Sequence, residues 1–457
     1  MERTTGDNSP LAAGAKRGDL QERIAGVLSP VLPAGSSILL GLSGGVDSVV
    51  LLHLLHRLSP IYSWRLRALH VHHGISPHAD AWVAFCTDLC VRHDIPLQVE
   101  HVDIAPLREH GIEAAARKLR HAAFARQPAD FIAYAHHQDD QAETLLLQLL
   151  RGAGVRGVSA MPFIKPRIGA PVLLRPLLDV ARSELLDYAR QHNLQWVEDE
   201  SNADDLYPRN FLRHRVLPLL EQRFPSYRGT LARSVRHFAE ASDLLDQLAQ
   251  QDAAQAIGED SMNVGVLQSI SQPRAKNLLR YFLHGIGAPM PQTSRLDEML
   301  RQLCEAREDG MMCVEFGGWQ LRRYHGRVYA MPAPGEVPHD LVVAWAGEAE
   351  LEWPALNSTL VFSHATGEGV SLERLSSARV TLRLRSGGET LRPSHAAATR
   401  SMKKLLQQHH VPPWRRERLP LLYCGETLAS VVGVAITADY QARQGEAGVV
   451  VRCGQLN

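Results

Sequence analysis

The stretch Ile38-Leu39-Leu40-Gly41-Leu42-Ser43-Gly44-Gly45-Val46-Asp47-Ser48-Val49-Val50-Leu51-Leu52-His53-Leu54-Leu55 decides the fold class. Its opening block is apolar without polar alternation, the profile of a strand buried on both faces of a parallel sheet. Its closing block reads as an apolar helix. Between them, two glycines let the backbone approach an anion closely. Successive N–H groups at a helix N-terminus then offer donors to phosphate oxygens, and the helix dipole adds to them. Ser43 and Ser48 supply hydroxyl donors. Asp47 disfavours a bare phosphate, so the loop makes sense beside a divalent cation. The Gly-Lys-Ser/Thr ending of a Walker A loop is absent.

Working outward, strands and helices alternate. Leu66–Val71, Leu97–Val102 and Phe131–Ala135 read as strands. Asp80–His93, with Trp82, Phe85 and Leu89 on one face, Ile112–Phe124 and Asp140–Leu150 read as helices. That alternation predicts a parallel sheet with helices on both faces. Beyond Gly152 prolines break the chain, a helix follows at Arg182–His192, and Pro225 marks a boundary. Helical periodicity runs from Gly229 to about Glu308, strand-like alternation from Met311 to Met331, and Pro332, Pro334 and Pro338 form a linker. The expected fold class is α/β: a Rossmann-like, parallel-sheet nucleotide-binding domain, then a helical domain, then a small β-rich or α+β domain. The expected boundaries are a flexible N-terminal extension over 1–34, a catalytic domain over 35–224, a mainly helical domain over 225–335 and a C-terminal domain over 340–457.

Composition bounds the function classes. Hydrophobic residues make up 45% and charged residues 21% of 457, a globular balance for two or three domains. No apolar run approaches the roughly 20 residues that span a bilayer, and no secretory signal is read. The six cysteines form no Cys-x-x-Cys pair; Cys86 and Cys90 read as buried small hydrophobes, and a reducing cytoplasm fits. Net charge is zero, which excludes a uniformly basic coat. Two stretches depart from that balance. Tyr207–Arg236 carries seven arginines against Glu221 alone, and Arg379–Arg418 carries ten Lys or Arg against Glu389 and Glu417. Both suggest docking surfaces for a polyanion.

A second chemical run is Ala135-His136-His137-Gln138-Asp139-Asp140-Gln141-Ala142-Glu143-Thr144, which passes from a strand end into a helix. Two imidazoles, two carboxylates and a Glu one turn on can hold Mg²⁺ and orient an amine. A capping box of Asp140 with Glu143 is the structural alternative. Arg151 can reach phosphate, while Gly152 serves equally as a helix C-cap. Glu113 and Arg117 stand at ion-pair spacing on a helix. Glu198–Asn202 and Tyr207–Arg215 combine acids with a basic segment.

Ser-Gly-Gly-x-Asp-Ser after the first strand resembles the pyrophosphatase loop of the N-type ATP pyrophosphatases. In order, that loop, His70–Gly74, Glu113–Arg120, His136–Thr144, Arg151–Gly154, Leu174-Arg175-Pro176-Leu177-Leu178 and Glu198–Arg215 are similar to the tRNA(Ile)-lysidine synthetase family, closely over residues 36–222. Ser401–Leu405 and Pro412–Leu422 resemble the C-terminal tRNA-binding domain of its longer members. His72 stands where an Asn is more usual, and His121 where an aromatic is often seen.

The resemblance implies a cytoplasmic, ATP- and Mg²⁺-dependent ligase that joins free L-lysine to the wobble cytidine of the CAU-anticodon isoleucine tRNA. The route is an adenylated cytidine, with loss of pyrophosphate and then AMP, and codon reading changes from AUG to AUA. It implies Ser43, Gly44, Gly45, Val46, Asp47, Ser48 and His136 at the nucleotide, and Asp47 and Asp140 on the metal. Glu143 is assigned to the lysine amine, and Arg209, then Arg151, to the adenylate. Arg117, Arg120, Arg213, Arg215, Lys403, Lys404, Trp414 and Arg416 are expected on tRNA. A homodimer is kept open. The competing readings are a tRNA sulfurtransferase with the same loop, a catalytically silent tRNA-binding homologue, and an amidotransferase.

Overall fold

The computed structural model describes residues 19–104, 112–167, 169–200, 204–258, 261–306, 312–333, 335, 341–356 and 358–455, without the side chains of 112–114, 355 and 455. Residues 1–18 of the expected extension, the Glu113 side chain, Ser201 and Asn202 lie outside the described residues. The chain divides into two compact units, Met1–Leu245 and Asp246–Asn457.

The first unit runs α1 (Leu20–Leu28), β1 (Ser37–Gly41), α2 (Val46–Tyr62), β2 (Arg65–His72), α3 (Ala79–Arg92), β3 (Leu97–His101), α4 (Ile112–Ala125), β4 (Phe131–Ala133), α5 (Gln138–Leu150), α6 (Val155–Val158), β5 (Ile164–Lys165), β6 (Val172–Leu174) and α7 (Arg182–Gln191). Then come α8 (Pro208–Phe211), a π-helical turn at Leu212–Val216, α9 (Leu217–Arg223) and α10 (Tyr227–Ala256). The sheet order is β3-β2-β1-β4-β6-β5, parallel except for the β5–β6 pair. Along β1 the side chains alternate between two buried faces. Ile38 and Leu40 join the core formed with α1, α2 and α7, while Leu39 meets Leu69, Phe124, Ile132 and Leu173 on the other. This is why Ile38, Leu39 and Leu40 at the centre of β1 are all apolar.

The expected extension needs correction. Leu20, Ile24 and Leu28 recur at helical spacing, are all buried, and put α1 into the main core, where Arg23 also pairs with Glu184 at 2.6 Å. The ordered domain therefore starts well before residue 35. The boundary expected at Pro225 also moves. The first turns of α10 pack Tyr227, Leu231, Val235 and Phe238 against Ala142, Leu145, Leu146 and Val158. The division between units accordingly falls within α10.

In the second unit α11 (Val264–Ser269), α12 (Gln272–Gly285) and α13 (Thr293–Glu305) cover an antiparallel sheet of order β7-β10-β9-β8, from Met262–Asn263, Arg327–Pro332, Trp319–Tyr324 and Cys313–Phe316. The region expected as mainly helical thus closes its core on a sheet. Beyond it β11 (Val342–Ala344), β15 (Val380–Arg383), β18 (Leu421–Cys424), β19 (Thr427–Val431) and β20 (Ala435–Ile436) form one sheet. A second contains β12 (Glu350–Trp353), β13 (Ser358–Thr366), β21 (Ala447–Gln455) and β14 (Val370–Ser371). Short helices α14 (Leu372–Leu375), α15 (Met402–Gln408) and α16 (Pro413–Arg416) and the ribbon β16–β17 (Thr390–Leu391, Arg400–Ser401) complete it. Among the described residues no helix is long and apolar enough to cross a membrane.

Candidate active site

In the sheet, β1 is flanked by β2 on one side and by β4, reached later in the chain, on the other. Ligands of open α/β sheets bind at such a switch point, beyond the strands' carboxyl ends. The loop after β1 and the segment after β4 both open there onto a cavity of about 1050 Å³. That size lies at the upper end for small-ligand sites and leaves room beside one nucleotide.

Gly44 takes φ +89°, and a Cβ there would come within 2.8 Å of Val197. Gly45 is the N-cap of α2 and has no side-chain cap, so the first-turn N–H groups of Val46, Asp47 and Ser48 are left for a ligand. Ser48 Oγ accepts from the Ser43 amide at 3.3 Å and donates to Gly45 O at 2.9 Å, which folds the loop on itself. Asp47 Oδ1 is buried without a hydrogen-bond partner, while Oδ2 lies 3.6 Å from His137 Nε2.

Across the cavity, the capping box differs from the expected one. His137 is the N-cap of α5: its Nδ1 accepts from the Asp140 amide (3.4 Å), and Asp140 Oδ2 accepts from the His137 amide (3.0 Å). Burial opposes a charge on His137, but Asp140, Asp47 and Asp139 hold its pKa above the ordinary value. Burial likewise opposes ionisation of Asp140, yet His137 and Arg209 bring it down to about 2. Glu143, fully buried, takes Arg209 Nε and Arg213 Nε at 2.6 Å each. Asp140 Oδ1 takes Arg209 Nη2 at 2.7 Å. Arg209 and Arg213 stand four apart and so share one helix face; α8 runs directly into the π-helical turn there, a feature common at functional sites.

The structure thus brings together Ser43–Ser48, His136, Asp140, Glu143, Arg209 and Arg213, with Arg117 and Arg120 on the cavity wall. Arg151 is not brought there: it is the exposed C-cap of α5, about 16 Å of helix rise from Asp140. Arg213, expected on tRNA, is engaged by Glu143. Arg215 pairs with Asp205, Arg228 with Asp139 and Glu221, and Arg236 with Asp179, so much of the first basic stretch is neutralised within its own unit. Trp414, expected to stack on tRNA, instead meets Tyr329 (5.5 Å), Tyr324 (6.0 Å) and the Arg322 guanidinium (5.2 Å). Arg416 bonds Val411 O and Tyr324 Oη. Lys403 and Lys404 are exposed at the start of α15.

Sequence reasoning missed Trp196 and Tyr134 as cavity walls and Arg175 behind His136. Tyr134 is marked only in space: Gly41 faces it, and a Cβ there would meet its ring at 2.9 Å. Among the described residues no group of three or more His, Cys, Asp or Glu is disposed to hold a metal by itself. The unpartnered Asp47 oxygen nevertheless suits Mg²⁺, which commonly takes one or two carboxylates plus substrate phosphates. Asp140 suits it less, since both its oxygens already accept hydrogen bonds.

Residues 17–220 match the family model of the PP-loop domain, 262–329 that of the TilS substrate binding domain and 380–453 that of the TilS substrate C-terminal domain. The chain is 43% identical over 419 residues to the tRNA(Ile)-lysidine synthase of Nitrosomonas europaea, covering 91% of this chain and 92% of that one. It is 42% identical over 433 residues to that of an Azoarcus species (93% and 95%) and 39% identical over 423 residues to that of Coxiella burnetii (91% and 93%). With the phosphate loop, the carboxylate–arginine cluster and all three family domains in one chain, this protein belongs to the tRNA(Ile)-lysidine synthase family.

Proposed function

We propose that the chain joins free L-lysine to the wobble cytidine of the CAU-anticodon isoleucine tRNA at the cost of one ATP. The observation that carries this reading is the uncapped start of α2 beside a buried, unpartnered Asp47 oxygen, on one cavity with Asp140, whose carboxylate is tied behind the wall to Arg209 and through it to Glu143. In the first step the cytosine carbonyl oxygen attacks the α-phosphorus and pyrophosphate leaves. In the second, the lysine amine attacks the activated ring carbon, loses a proton, and AMP leaves.

The chain's own groups meet these demands. The Val46, Asp47 and Ser48 amides bind the departing pyrophosphate through fixed donors that need no reorganisation. Asp47, with Asp140 second, is the carboxylate to hold Mg²⁺, which when bound neutralises phosphate charge. Arg209, bonded to Asp140, is the arginine assigned to steady the adenylate. Glu143 can grip the lysine ammonium only when Arg213 gives up its place, because both Glu143 oxygens are taken. The target base has to leave its stack to enter the cavity, where Trp82, Trp196 and Tyr134 offer ring faces and edges.

Cys86 and Cys90 speak against the sulfur-transfer alternative. Both are buried, and burial pushes their thiols up to about 12 and about 11, far from the thiolate that a persulfide carrier requires. The deciding experiment is mass spectrometry of the isoleucine tRNA after incubation with ATP and lysine. The expected gain is one lysine less one water; a tRNA of unchanged mass overturns the reading.

A further inference from the structure

Leu174-Arg175-Pro176-Leu177-Leu178 has no part in the reaction above, yet the fold clamps it to the catalytic segment. Pro176 keeps Arg175 extended. The Tyr134 amide donates to Leu174 O and the Gln138 amide to Val180 O, each at 2.9 Å. Arg175 is thereby fixed behind His136. It is 5% exposed, donates through Nη1 to Pro162 O at 2.8 Å and through Nε to His136 Nδ1 at 3.3 Å. Among the described residues no carboxylate pairs with it.

This contact assigns a tautomer. A guanidinium N–H can donate only to an imidazole nitrogen that holds a lone pair, so His136 Nδ1 is unprotonated and its proton sits on Nε2. His70, on the same cavity wall, is set the opposite way. Its Nδ1 faces Leu42 O at 2.9 Å and must donate, which leaves Nε2 as the acceptor. His136 lines the cavity, and no group of the described chain hydrogen-bonds its Nε2. Burial, helped by Arg175, Arg209 and Arg120, outweighs Asp140 and brings its pKa down to about 3, so the ring is neutral. Burial brings Arg175 only to about 10, so the guanidinium stays charged.

We propose that Arg175 is a positioning residue that holds His136 as the Nε2–H tautomer, so that His136 serves as a hydrogen-bond donor to a substrate oxygen and not as a base. The fixed positive charge behind the ring polarises that N–H toward the cavity. A neutral imidazole with positive charge behind it is a known electrophilic arrangement. It suits an oxygen that gains negative charge as a phosphoryl bond breaks.

The test has two arms, and only the second rests on the lysine-transfer reading. Histidine-selective isotope-labelled NMR of the full chain, with His136→Ala to assign the signals, reads the tautomer without ATP or tRNA. We expect Nε2 protonated and Nδ1 bare at neutral pH; a protonated Nδ1 overturns the proposal. In Arg175→Met the tautomers should mix, and kcat for lysine transfer should fall about tenfold with little change in KM. Arg175→Lys, whose ammonium can also donate to Nδ1, should recover most of that loss. An Arg175→Met protein with unaltered His136 signals and kcat also overturns the proposal. If Arg175→Met does not fold, the wild-type spectrum decides alone. Absent lysine transfer in a wild-type protein with the expected tautomer counts against the proposed reaction and leaves the tautomer assignment standing.

Discussion

Asp47 lines the cavity and Glu143 lies buried behind it, and the two carboxylates carry different burdens. Asp47 has one oxygen with no partner and one beside His137, so Asp47→Asn should leave unfolding nearly unchanged. Pyrophosphate release with tRNA and lysine should nonetheless fall by roughly 10²-fold or more. Glu143 holds two guanidiniums with no exposure to solvent. Glu143→Gln should therefore cost about 3–5 kcal/mol, seen as a lowered urea midpoint, because it leaves buried charge uncompensated. Activity lost in that variant has to be read against its folded fraction. Asp140 adds a pH dependence. Its carboxyl titrates at about 2 when folded and near 3.8 otherwise. Its contribution, about 2 kcal/mol, is full above about pH 4 and disappears as pH falls to about 2. Urea midpoints measured through that window should drop, and Asp140→Asn should flatten the drop.

At the scale of elements, the informative one is α1. It lies in a stretch whose Gly-, Ser- and Ala-rich beginning reads as a tail, yet its Leu20, Ile24 and Leu28 are buried in the core that contains α2. Ile24→Ala or Leu28→Ala, at 2% and 0% exposure, should lower stability by about 2–5 kcal/mol. A tail would show no such loss in thermal unfolding. The π-helical turn at Leu212–Val216 is the second such element. Its Arg213 is expected from sequence on tRNA, and only the fold shows it beside Arg209 of α8, both bonded to Glu143.

For the molecule as a whole, the balance of charge argues for a sparse polyanion footprint. Arginines of the first basic stretch are largely consumed by Asp139, Asp140, Glu143, Asp179, Asp205 and Glu221. Lys403 and Lys404 remain exposed. Each Lys→Ala change there should weaken tRNA binding and reduce the log–log salt slope by about 1, measured by filter binding across salt concentrations. Trp414→Ala should instead lower the thermal stability of the second unit, since its ring is packed on Tyr329, Tyr324 and Arg322. A Trp414→Ala protein that keeps its stability but loses tRNA would return that residue to the RNA surface.

That Asp47 and Arg209 join the second run in one site is read from family resemblance alone; the parallel-sheet domain, the phosphate loop and the His136–Glu143 run are legible along the chain itself. These are local signals: an unbroken apolar strand, glycines before a helix, and acids in the first turn of another. Tertiary structure alone decided which charges face each other, which nitrogen of His136 carries the proton, and which aromatic rings are already occupied. Those depend on segments far apart in the chain, such as Arg175 against His136 and Tyr329 against Trp414. Pairing across such distances is fixed by packing, and periodicity along the chain carries no record of it.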